Sequence, residues 1–174
     1  YFQLIREICD EHGVLFISDE VMTGFGRTGK KWGLDHWDTT PDIIATAKGL
    51  SGGYLPLGAT IASDKVFEGF SEPFAHGHTY GSHPVACAAG VAVLDYMNKH
   101  NLVQNSRVIG EYMHKKLDSL KDHPSVGDIR GSGLFSGIEF VKDKETKESY
   151  APEVRFNTLV VDKCFDNGLL VYPG

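Results

Sequence analysis

The sequence predicts an α/β fold in two parts, a larger α/β piece followed by a smaller α+β piece. Three observations predict it. Short apolar runs that end in a chemically capable residue, Val14-Leu-Phe-Ile-Ser-Asp19 and Pro41-Asp-Ile-Ile-Ala-Thr-Ala-Lys48, alternate with stretches of helical spacing. Glycine-rich segments, Thr23–Lys31 and Gly49–Gly58, follow those runs as loops follow strand ends. Near Ser125 the pattern changes to two alternating runs around a glycine-rich bend.

Taken in order, Tyr1–His12 carries apolar residues at helical spacing (Phe2, Leu4, Ile5, Ile8, Cys9) and stops at Gly13, a good residue just past a helix end. Val14–Ile17 is a continuous apolar run, expected as a strand buried on both faces. Ile43–Ala47 and Gly58–Ser63 read as two more short strands, and Pro73–His83 as a loop rich in Gly and His. Pro84 suits a first helical turn, and that helix should run to about His100. A second helical pattern covers Leu102–Leu120, with Val108, Ile109, Tyr112, Met113, Leu117 and Leu120 on one face. Val126–Lys142 is expected to form two strands, Asp143–Ser149 an exposed turn, Glu153–Asp166 a helix ended by Gly168, and Leu169–Tyr172 a strand. A boundary near 95–102 assigns 1–98 to the larger piece, with 99–174 as a linking helix and the start of the smaller one.

Composition narrows the class. Of the 174 residues, 41% are hydrophobic and 23% charged, ordinary for a globular protein. A net charge of −6 without Lys/Arg clusters argues against a nucleic-acid surface. No apolar run approaches the ~20 residues of a membrane span. The three cysteines, Cys9, Cys87 and Cys164, are far apart and lack a C-x-x-C pair, which fits a reduced, cytoplasmic setting.

In open α/β sheets the ligand crevice lies along the carboxyl edge of the strands. Asp19 and Lys48 both close a predicted strand, so one carboxylate and one amine are expected on that edge. Such a pair suits a carbonyl cofactor: the amine forms a Schiff base and the acid holds a protonated ring nitrogen, as pyridoxal phosphate requires. Lys48 sits in a nearly uncharged, glycine-rich stretch, and partial burial there would lower its affinity for a proton. Val21 could pack flat on a ring, and the Thr79 hydroxyl could donate to a phosphate. A solvated lysine, an exposed strand-end acid, a core valine and a loop threonine are the plain alternatives. His76 and His78 alternate without a third ligand at a recognisable spacing, so no metal site is expected. The segments GFGRTG and SGGYLPLG lack the G-K-[ST] ending of a phosphate loop.

Together, DEVMTGFGRTG, ATAKGLSGGYLPLGA and HGHTYGSHPVACAAGVAVL resemble the class III (ω-amino acid) aminotransferases, pyridoxal-phosphate enzymes of fold type I. VGDIRGSGLFSGIEFV and GLLVYPG resemble the start of that family's small C-terminal domain. The resemblance implies a large-domain mixed sheet with flanking helices. It implies Lys48 as the Schiff-base lysine, Asp19 as the partner of the ring nitrogen and Val21 against the ring. It also implies Thr79 on the phosphate of the neighbouring subunit's cofactor, in a homodimer or dimer of dimers. Met22 stands where the ornithine and γ-aminobutyrate branches tend to carry Gln, so the resemblance favours the branch that uses pyruvate as amino acceptor. The family's phosphate-binding turn and its substrate-gripping arginine have no counterpart here. The chain therefore reads as an internal segment of a longer protein, expected to be catalytically silent alone. The implied activity is ping-pong transfer of an amino group from an ω-amino acid or amine to a keto acid. A lyase, aminomutase or decarboxylase using the same Lys48 and Asp19, and a non-catalytic domain that keeps the fold, stay open as alternatives.

Overall fold

The computed structural model of the chain describes residues 1–173. The first helix, α1 (Phe2–Glu11), ends as the sequence anticipates, with His12 as its cap and Gly13 in the left-handed region at φ 64°. The strand that follows, β1, spans Ile17–Asp19, later than the expected Val14–Ile17. The ladder forms only where β2 (Ile43–Thr46) supplies partners, from Ile17 opposite Ile43 to Asp19 opposite Ala45. Val14 instead donates its N–H to the Cys9 carbonyl at 2.8 Å, finishing the turn out of α1. Nor is the run buried on both faces, since Val14, Leu15 and Ile17 are 55%, 44% and 59% exposed. An apolar run reports that a segment needs cover, not that a described neighbour provides it.

β2 is the central strand. It runs parallel to β1 and antiparallel to β3 (Ala59–Ala62), giving a mixed sheet in the order β1-β2-β3. The parallel pairing brings the carboxyl ends of β1 and β2 out on one edge. At the opposite end Asp42 is buried and accepts from the Phe16 N–H at 2.7 Å and from Arg6 of α1 at 2.8 Å. The Phe16 N–H first, then the Arg6 guanidinium, holds the Asp42 carboxyl below the usual carboxylate range. A short helix that the sequence pattern did not suggest, α2 (Asp64–Glu68), follows Ser63, whose carbonyl accepts from Val66 and Phe67.

Two sixteen-residue helices come next, α3 (Pro84–Lys99) and α4 (Leu102–Leu117). Pro84 does open α3 in its first turn. Each helix buries small residues four apart, Ala86 and Gly90 in α3, Ser106 and Gly110 in α4. A β-carbon on Gly90 would fall 2.7 Å from the Leu57 side chain, and one on Gly110 would overlap the Gly133 carbonyl, so both helices pack backbone-close. The apolar face expected on α4 is not its buried one: Val108, Ile109 and Tyr112 are exposed, and the contact face is the small-residue one.

An antiparallel hairpin, β4 (Val126–Ser132) and β5 (Phe135–Phe140), turns through Gly133 and Leu134. α5 (Phe156–Asp166) is shorter than expected because Pro152–Val154 forms a separate 3-10 turn before it. Leu169–Tyr172, expected as a strand, pairs with nothing among the described residues and is not one. Strand character requires a ladder partner, which apolar composition does not supply. No helix among the described residues is long and apolar enough to cross a membrane.

Candidate active site

The site grows from the shared edge of β1 and β2. Asp19 is the last residue of β1 and lies opposite Ala45, whose carbonyl accepts from the Glu20 N–H at 2.8 Å. Lys48 stands just past the end of β2 and opens the 3-10 turn Lys48–Ser51. The structure thus brings the carboxylate and the amine to the same edge of adjacent parallel strands. Asp19 is exposed, and its Oδ1 accepts from the Val21 N–H at 3.0 Å, which starts the turn out of the strand. Among the described residues neither Asp19 nor Lys48 enters an ion pair.

Lys48 is held in an unusual backbone state. Its φ of 41° lies in the left-handed region, sparsely populated by any residue but glycine. Such a conformation costs about 1–3 kcal/mol and persists only when its surroundings fix it. Here they do. Leu50 N–H donates to Ala47 at 3.0 Å, Gly52 N–H to Gly49 at 3.1 Å, and the Ser51 hydroxyl to Leu55. Gly49 abuts Phe25, where a β-carbon would fall 2.9 Å from the Phe25 β-carbon, and α3 lies under Leu50 and Leu57 through Gly90. The Lys48 side chain is nevertheless exposed, and its amine meets the Met22 sulfur. The partial burial expected of Lys48 is therefore absent. The glycines that let the backbone pack closely bring no side chains to cover the amine.

Val21 is half-buried and Met22 exposed in the turn after β1, on the side facing Lys48 through Met22. Thr79 lies elsewhere, in an exposed turn of the Pro73–His83 loop, with no hydrogen bond to Asp19 or Lys48. In the same loop the His76 and His78 Nε2 atoms sit 3.1 Å apart. No group of three or more His, Cys, Asp or Glu arranged to hold a metal ion occurs among the described residues.

Sequence reasoning passed over Glu20. It is 1% exposed, and its carboxylate accepts from the Gly33 N–H at 2.8 Å, the Leu34 N–H at 3.0 Å and the Thr23 hydroxyl. One signal could have found it. Successive residues of a strand face opposite ways, so of two acids closing a strand one must turn inward. The Gly24–Gly29 segment also gains a role. Arg27 accepts from Ser106 of α4 and from the Leu134 N–H of the hairpin, and Thr28 from Ser132, so this loop is where α4 and the hairpin dock.

This donor set fits pyridoxal phosphate. An accessible primary amine, a carboxylate without a cationic partner and a half-buried apolar side chain share one strand edge.

Comparison with known proteins points the same way. The family model described as aminotransferase class-III matches residues 1–174. An uncharacterized aminotransferase of Bacillus subtilis is 43% identical over 99% of this chain and 40% of its own length. An adenosylmethionine-8-amino-7-oxononanoate aminotransferase of Methanocaldococcus jannaschii is 40% identical over 99% of this chain and 40% of its own. Among solved structures, an (S)-enantioselective omega-transaminase from Thermomicrobium roseum superimposes with a TM-score of 0.94 at 37% identity, over 100% of this chain and 40% of that one. A taurine:2-oxoglutarate aminotransferase from Bifidobacterium kashiwanohense, in complex with PLP and glutamate, does so with a TM-score of 0.92 at 36% identity, over 99% and 40%. The chain spans about 40% of the length of the curated relatives it matches.

Proposed function

Because the chain belongs to the class III aminotransferases, we propose that the protein is a pyridoxal-phosphate-dependent transaminase that moves an amino group from an ω-amino acid or amine to a keto acid. The observation that carries this reading is the placement of Asp19 and Lys48 on one carboxyl edge of two parallel strands. Pyridoxal phosphate, when bound, supplies a cationic ring that delocalises the electron pair left as the donor's C–H bond breaks.

This chain's residues do the rest. The Lys48 amine would hold the cofactor, and once freed by a donor amine it would be the base that takes the proton from the donor carbon. Its left-handed backbone fixes where the side chain starts. Asp19 keeps the ring nitrogen protonated; with no competing cation, its carboxylate is available for that role. Val21 packs against the ring. Thr79 donates its hydroxyl to the phosphate of the neighbouring subunit's cofactor in a homodimer, which its exposure and its lack of bonds to Asp19 and Lys48 support. The donor carbon is oxidised to a carbonyl, and the acceptor's carbonyl carbon is reduced to an amine. Pyruvate is the acceptor we favour, because Met22 rather than Gln adjoins Lys48. The taurine:2-oxoglutarate and adenosylmethionine-8-amino-7-oxononanoate enzymes bear different substrates in their names, so the donor is left at its class.

Borohydride reduction of the full-length protein with pyridoxal phosphate, followed by peptide mapping, tests the reading. The label should fall on Lys48, and pyruvate should become alanine one-for-one with donor loss. A label on another lysine overturns the assignment, and donor loss without alanine overturns the reaction.

A further inference from the structure

Glu20 is buried more completely than any other charged residue described, yet it forms no ion pair among the described residues. A buried carboxylate without a counter-charge is costly unless donors surround it, and here every partner donates. Gly33 and Leu34 offer backbone N–H groups at the start of the Gly33–Trp37 turn, and Thr23 offers its hydroxyl. These partners lie thirteen, fourteen and three residues away, so the side chain closes the loop between β1 and that turn onto the strand end.

The backbone of Glu20 ties the same point to β2. Its N–H donates to Ala45, its carbonyl accepts from Gly24 at 2.9 Å, and the Thr46 hydroxyl reaches that carbonyl at 3.5 Å. The loop so fixed carries Phe25, itself at φ 57°, with Trp32 against it at 5.0 Å between ring centroids. Phe25 is the side chain that Gly49 abuts, directly after Lys48. One continuous run of contacts thus joins Glu20, bonded in sequence to Asp19, to the turn that holds Lys48 left-handed.

We propose that Glu20 is a positioning residue that sets the placement of Asp19 and Lys48 relative to one another. This rests on the transaminase reading above. Its test is specific because of hydrogen-bond arithmetic. In Glu20→Gln a single carbonyl oxygen replaces two acceptors. If it takes the place of Oε2, the amide faces the Leu34 N–H; if it takes that of Oε1, the amide faces the Gly33 N–H. Either way one buried backbone N–H meets a donor, and the loop loosens.

Hydrogen exchange by peptide and steady-state rates per cofactor-loaded site should be measured on the full-length protein. Glu20→Gln should raise exchange in residues 20–35 and also in the Lys48 turn, 47–52, while α5, which has no hydrogen bond to that loop, stays as in the parent. The kcat per loaded site should fall about tenfold with KM within about twofold, as when groups misalign in the transition state rather than in binding. Exchange confined to 20–35 with an unchanged kcat per loaded site would make Glu20 merely structural and overturn the proposal. If Glu20→Gln does not fold, Thr23→Val decides the matter. It removes one of the three donors and should give the same pattern at about twofold, a third of the tenfold effect on the free-energy scale; no change at 47–52 overturns the proposal. Exchange in cofactor-free protein reads the coupling even if the parent shows no transamination, so failure of the functional reading is seen separately.

Discussion

At the amino end of β2, Asp42 is buried and takes up the Phe16 N–H and the Arg6 guanidinium. At the carboxyl end, Asp19 and Lys48 are exposed, and neither has an ionic partner among the described residues. Among the described residues the same two strands therefore carry ion-paired charges at one end and unpaired ones at the other. A buried, paired charge serves the fold. An exposed amine and acid, tied to the chain only by the Asp19–Val21 turn bond and the Lys48–Met22 contact, keep their charges free to act on something else. The comparison makes a sharp demand: changes at the carboxyl end should alter chemistry and spare stability, and changes at the amino end should do the reverse.

Lys48→Ala is the strongest test of the carboxyl end. It should abolish covalent cofactor attachment and slow the half-reaction by roughly 10²–10⁴-fold, the usual worth of a positioned general base. The melting temperature of the cofactor-free protein should barely move, because alanine keeps the β-carbon and inherits the same backbone state. A large loss of stability would break the comparison. Asp19→Ala comes next. If Asp19 holds the ring nitrogen, removing its charge should slow proton transfer by about 10²–10³-fold. A near-normal half-reaction, followed by stopped-flow absorbance, would take the ring-nitrogen role from Asp19.

The Thr79 loop sharpens the comparison, since its surroundings differ from both ends of the strands. Thr79 is exposed and not tied to the Lys48 edge. If it serves a neighbouring subunit, Thr79→Val should weaken cofactor affinity about tenfold, as loss of one hydrogen bond to a charged group implies. Mixing Lys48→Ala chains with chains carrying a bulky residue at 79 should then restore activity. Each heterodimer has one good site, with Lys48 from one chain and Thr79 from the other. Verified heterodimers without activity would place Thr79 in cis or remove its role.

Much of this was legible in the sequence, for identifiable reasons. Gly13 past a helix, Pro84 in a first turn and the bend at Gly133 follow from local backbone preference, which a sequence states directly. Asp19 and Lys48 could be placed on one edge because each closes an apolar run. What could not be read depends on distant partners. The start of β1 waits on β2, and Leu169–Tyr172 has the composition of a strand but no ladder. The burial of Glu20 is decided by N–H groups at Gly33 and Leu34, far along the chain. The exposure of Lys48 follows from what its glycine neighbours lack, so the same residues that suggested burial explain its absence.

The smallest effect on chemistry belongs to the amino end. Phe16 N–H and Arg6 share the Oδ2 atom of Asp42, so Asp42→Asn keeps an oxygen for both but removes the charge that pairs with the Arg6 guanidinium. The loss is softened because Arg6 also pairs with Asp10 at 2.7 Å. The expected cost is about 1–3 kcal/mol near neutral pH, the range for hydrogen bonds to charged groups. The pH dependence fixes the sign. The Asp42 carboxyl is held below its ordinary value in the folded chain, by the Phe16 N–H and then by Arg6. The folded state therefore favours its ionised form, and the stabilisation is complete above the ordinary carboxylate value of about 3.9. It is lost as pH falls below that value and through the lower folded one. Urea unfolding of the parent should show this acid-side loss, and Asp42→Asn should lack that part of it. The rate per folded, cofactor-loaded site should be the same in both proteins, because nothing at this end of the sheet touches Asp19 or Lys48. An Asp42→Asn variant that keeps its stability but loses rate would show that the two ends of the strands are not separate in function.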